Sequence, residues 1–150
     1  MYTNKTRRSL IVPLLTALLP VLLFVLPAAG QYSMDRDTSL TGAEWEAFNK
    51  KIVQAVSSEN QGIREGALVQ IAYYGDYLEF PELTVFEVMR MYRDHDDPKI
   101  QRLAIVSLAN MGSRWAIEFL DMLAPYESNE TLKKTMENVV RDARMEWENL

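Results

Sequence analysis

The stretch Ile-Arg-Glu-Gly-Ala-Leu-Val-Gln-Ile-Ala-Tyr-Tyr-Gly at residues 63–75 returns at residues 100–112 as Ile-Gln-Arg-Leu-Ala-Ile-Val-Ser-Leu-Ala-Asn-Met-Gly. Ile63 falls on Ile100, Ala67 on Ala104, Ile71 on Leu108, Ala72 on Ala109 and Gly75 on Gly112. Self-similarity at a period of this size marks stacked helical units, none of which can bury its apolar face alone.

Working outward, helical spacing and cap chemistry place the other elements. Thr41-Gly42-Ala43-Glu44 reads as a capping box opening a helix with Trp45, Phe48, Ile52, Val53 and Val56 on one stripe. Asn60 caps the first copy of the block, whose stripe is Ile63, Ala67, Leu68, Ile71 and Tyr74, and Gly75-Asp76 ends it. Pro81 suits the first turn of a helix that runs to about His95, carrying Val85, Val88, Met89 and Tyr92. Asp97-Pro98 starts the second copy, and Gly112-Ser113 turns into a helix with Ala116, Phe119, Leu120 and Leu123 inward. Asn129 caps a last helix carrying Leu132, Met136, Val139, Val140, Ala143 and Trp147 beneath a charged outer face. No segment alternates with period two, so the expected fold class is all-α, about six helices over residues 41–150.

The segments Asn60-Gln61-Gly62-Ile63-Arg64-Glu65-Gly66-Ala67-Leu68 and Asp97-Pro98-Lys99-Ile100-Gln101-Arg102-Leu103-Ala104-Ile105 resemble the start of HEAT repeats of the bacterial, PBS-lyase type. That pattern, D-P-x-V-R-x-x-A-x-x-A-L-G-x-x-G, is matched best by Asp97, Pro98, Ala104, Leu108 and Gly112. Gln101 stands where the pattern has arginine, and residues 77–81 are an insertion in the first unit. The resemblance implies a short α-solenoid that presents a surface to another macromolecule. It also implies that the second helix of each pair, residues 83–94 and 114–123, lines the binding face.

Residues 1–30 read as a secretory leader. Lys5, Arg7 and Arg8 form a basic start, residues 10–26 are almost wholly apolar, and Ala28-Ala29-Gly30 offers the small residues of a cleavage site, leaving Gln31 first. The Arg7-Arg8 pair has a twin-arginine look, but so hydrophobic a leader suits the Sec route. Retained instead of cleaved, the apolar run would be a membrane anchor, although Pro13 and Pro20 interrupt it. Residues 31–40 are a polar linker. The expected location is periplasmic or extracellular.

The chain has no cysteine, so disulfides, thiolate metal sites, cysteine nucleophiles and a lipoprotein anchor are all excluded. The leader takes three of the 16 basic residues and none of the 21 acidic ones, leaving 13 against 21, or −8, for the remainder. Such a charge disfavours nucleic acid and anionic lipid surfaces as partners.

Three local features carry chemistry. Asp94-His95-Asp96-Asp97 has ligand-type side chains, but it includes the chain's one histidine, and its acids sit where a helix cap is needed before Pro98. No metal or cofactor is therefore expected, and no nucleophile motif such as G-x-S-x-G appears. Asn129-Glu130-Thr131 fits the glycosylation pattern at a position that also needs a cap. Tyr77 and Phe80, in the insertion, are aromatics of the kind that anchor recognition.

The sequence reading is thus a non-catalytic scaffold or adaptor for a protein or peptide. Its candidate binding residues are Tyr77, Phe80, Glu87, Arg90, Arg114, Glu118 and Asp121. The alternatives are a membrane-tethered accessory subunit of an envelope complex and a small acidic metal-binding or enzymatic protein.

Overall fold

Five of the six α-helices among the described residues begin at a residue whose side chain accepts a hydrogen bond from a first-turn amide, which is why the chain breaks where it does. The computed structural model describes residues 40–149, and the leader and nearly all of the 31–40 linker lie outside them. Helix α1 (Gly42–Val56) opens on the capping box: Glu44 N donates to Thr41 Oγ1 at 3.4 Å, and Thr41 N to Glu44 Oε2 at 2.8 Å. Helix α2 (Gln61–Tyr74) is capped by Asn60, α4 (Pro98–Asn110) by Asp97, α5 (Arg114–Leu123) by Ser113 and α6 (Glu130–Glu148) by Asn129. Helix α3 (Glu82–Asp94) is the exception. Pro81 stands just before its first turn and offers only its carbonyl, to Thr84 N at 2.8 Å. No strand occurs among the described residues, so the protein is all-α there.

The packing has two rows. Helices α2, α4 and α6 lie side by side, with α4 central; α1 packs on α2 and α3, and α3 and α5 pack on α4. Tyr92 of α3 meets Phe119 of α5 edge-on at 6.4 Å, which continues the second row. Between the two rows, the most extensive contacts are α1 with α2, α3 with α4 and α5 with α6. This differs from the sequence reading, which pairs α2 with α3. The residues linking those two are a 3₁₀ turn (Gly75–Tyr77) and an extended stretch, and they let α3 swing onto α4.

The repeated block occupies equivalent places in the core. Ala67 and Ala104, Leu68 and Ile105, and Ile71 and Leu108 are all buried, and α2 lies against α4. The interface is also tied by polar groups from α4: buried Ser107 Oγ lies 2.9 Å from Leu68 O and from Leu103 O, and Asn110 Nδ2 donates to Ala72 O at 2.7 Å. The register fails at Ile63, which is 50% exposed, whereas Ile100 is half-buried. Ile63 lies in the first turn of α2.

Candidate functional site

The α1–α2 and α3–α4 connections are both short, so they fall at the same end of the molecule, and between them lies a groove of about 580 Å³. Its apolar floor is Val56, at the end of α1, and Met91, on the inner side of α3; both are buried. One wall is the α1–α2 turn with Ser58 and Glu59, and the other is the last turns of α3 with Glu87, Arg90 and Asp94. Asp96 and Asp97 close it from the α3–α4 turn.

Hydrogen bonds fix this shape. Arg64 of α2 reaches back to the carbonyls of the α1–α2 turn, with Nη1 2.7 Å from Ser58 O and 3.1 Å from Glu59 O. Arg64 holds the arginine position of the repeat pattern, and it clamps the preceding turn. Arg90 pairs with Glu87 at 3.2 Å and lies 3.9 Å from Asp94, while Arg93 bonds Asp94 at 2.7 Å. The Arg93 hydrogen bond holds the Asp94 carboxyl below the usual carboxylate range.

At one end of the groove three side chains meet. His95 Nε2 is 3.1 Å from Glu65 Oε1, Gln61 Nε2 donates to the same oxygen at 2.8 Å, and the Asp97 amide donates to His95 Nδ1 at 3.0 Å. The hydrogen bonds from Gln61 and then His95 lower the Glu65 pKa, so this carboxylate is ionised at neutral pH. Asp97 meanwhile accepts from Lys99 N at 2.8 Å, as a helix cap does. No group of three His, Cys, Asp or Glu side chains among the described residues has the arrangement of a metal site.

Seven residues were expected to form one binding face, and the structure places them in three regions. Glu87 and Arg90 line the groove just described. Arg114, Glu118 and Asp121 lie instead along the α5–α6 seam. There Arg114 Nε pairs with Glu118 at 3.1 Å and its guanidinium sits 5.3 Å from the centre of the Trp147 ring, while Asp121 pairs with Arg144 at 2.6 Å. Only shallow depressions of about 400 Å³ and 340 Å³ accompany them.

Tyr77 and Phe80 belong to a third region, where both touch other side chains and Tyr77 stays 47% exposed. Tyr77 stacks on Trp45 with ring centres 5.4 Å apart, in a cluster completed by Phe48 and Tyr74. Phe80 packs against the core, half-buried.

Sequence reasoning missed Arg64, His95 and Glu65 as parts of one site. The signal for Arg64 was its place in the repeat pattern. His95 and Glu65 lie 30 positions apart on different helical units, and only the packing of α2 against the α3–α4 turn brings them together. Among the described residues no helix is long and apolar enough to cross a membrane. No protein family, curated protein or solved structure matches the chain.

Proposed function

We propose that this chain is an exported, non-catalytic scaffold of HEAT-like helical hairpins that holds a polypeptide segment in the groove between the α1–α2 and α3–α4 turns. The observation that carries the reading is the groove's composition. An apolar floor of Val56 and Met91 lies beneath walls bearing Glu59, Glu87, Asp94, Asp96 and Asp97 against only Arg64 and Arg90. Arg64 is committed to backbone carbonyls, Arg90 to Glu87, Asp94 to Arg93 and Asp97 to the Lys99 amide, so the charged groups left facing outward are the carboxylates of Glu59 and Asp96. Such a surface suits Lys or Arg side chains, whose aliphatic stems lie on apolar surface while their charged heads meet carboxylates.

The HEAT-like reading is supported by the matched burial of the two sequence blocks and by the parallel roles of α2 and α4 in one row. Export is supported by the basic start, apolar run and small residues of positions 1–30.

The groove and the α5–α6 seam make different predictions, which separates this reading from the wider face implied by the sequence. The test is co-purification of the partner with the full-length chain from its native host. Arg90→Glu, which adds a carboxylate inside the groove, is expected to raise partner recovery, and Arg114→Glu, on the seam, to leave it unchanged. Loss of the partner with Arg114→Glu alone would move the site to the seam.

A further inference from the structure

His95 is the chain's only histidine, and its ring ties α2 to the turn that starts α4. A backbone amide can only donate, so the Asp97 N–H assigns Nδ1 as the acceptor and leaves the ring proton on Nε2. Glu65 is ionised and can only accept, which agrees with Nε2–H donating to it. Gln61 donates to the same carboxylate oxygen, so the two donor nitrogens lie 2.9 Å apart. In this arrangement the neutral ring has no spare lone pair.

From this geometry we infer that His95 is a proton-operated latch: protonation at Nδ1 releases the Asp97 amide and frees the α3–α4 turn, while the ring stays bound to Glu65 of α2. The proton comes from solvent and has one place to go. Nδ1 carries the ring's only in-plane lone pair, and the Asp97 N–H points at it from 3.0 Å. Once Nδ1 carries hydrogen, two donors face each other and that bond breaks. The Nε2–H bond to Glu65 survives and becomes charge-assisted.

Charged groups come to this end of the groove from each element packed around it. Glu65 and Arg64 belong to α2, Glu59 to the turn before it, and Asp94, Asp96 and Asp97 to the end of α3 and the released turn. The Arg90–Glu87 pair stands further along α3. Asp96 and Asp97 form one wall of the groove, so the latch sets the position of that wall. Imidazole is the side chain that changes charge in the range pH 5–8, where an exported protein meets changing acidity.

The test is two-dimensional NMR of the full folded chain between pH 8 and pH 5, following the His95 ring and the Asp97 amide together. The expected result is one common midpoint, with the Asp97 amide proton moving upfield and losing protection as the ring gains its proton. His95→Asn places an uncharged acceptor near the position of Nδ1, so in that variant the Asp97 amide is expected to stay bonded across the range. An Asp97 amide that keeps its shift and protection while His95 titrates would overturn the latch. So would an Asp97 change that persists unaltered in His95→Asn.

Discussion

A Cβ built on Gly75 stands 2.4 Å from the carbonyl oxygen of Asn110, closer than any side chain tolerates, so glycine at the end of α2 is what lets α4 lie against it. Asn110 returns the contact by donating its side-chain amide to Ala72 O. Gly112 occupies the matching place in the second block and does a different job. Its φ of +63° is a left-handed turn between α4 and α5, and nothing crowds it.

The two glycines should therefore respond differently to the same change. Gly75→Ala forces backbone apart and is expected to destabilise by about 2–3 kcal/mol, the upper range for overpacking. Gly112→Ala meets only conformational strain, about 1 kcal/mol. Urea unfolding of both variants checks the order, and equal losses would mean that the α2–α4 approach is not limiting.

Ala104 is fully buried in the core and Ala67 nearly so. Ala104→Leu should overpack it by roughly 1–3 kcal/mol. A surface alanine such as Ala47 is the control, and Ala47→Leu is expected to change stability by less than about 0.5 kcal/mol. Thermal midpoints of the two variants give the comparison.

The Tyr92 hydroxyl donates to Glu127 Oε2 at 2.5 Å, and Glu127 Oε1 accepts from Asn129 N at 2.7 Å, so one carboxylate links α3 to the start of α6. Burial first, and then the Glu127 hydrogen bond, raises the Tyr92 pKa well above the ordinary phenol value. A raised pKa in the folded state means the stabilisation is fully present below the unfolded value of about 10 and is lost as pH rises beyond it. Tyr92→Phe should cost about 1.5–3 kcal/mol at neutral pH, as for a hydrogen bond to a charged group. The difference between wild type and variant should shrink between pH 10 and pH 11.5. Unfolding curves at pH 7 and at that alkaline limit measure both.

Much of the helix layout was legible because it rests on local chemistry. Thr41, Asn60, Asp97, Ser113 and Asn129 each name a helix start through a bond to an amide no more than three residues away. The core stripes followed from spacing, with Ile63 and Trp147 the misses, because periodicity reports a face and not whether a neighbour covers it. Pairing was harder to read. Whether α3 packs on α2 or α4 depends on the path of residues 75–81, which no local rule specifies. The binding face suffered most, since charged residues at exposed helical positions look alike in sequence. Arg114 and Asp121 proved to be engaged with Trp147 and Arg144 of α6, and such partners appear only once the helices are packed.

The groove is the central claim, and site-specific photocrosslinking in the native host tests it most directly. A photoreactive residue would replace Asp96 at the groove wall or Lys134 on the exposed face of α6, in the full-length chain. The account predicts a discrete polypeptide adduct from position 96, diminished by Glu59→Lys, which puts a cation on the facing wall, and none from position 134. An adduct from position 134 with none from position 96 would contradict it.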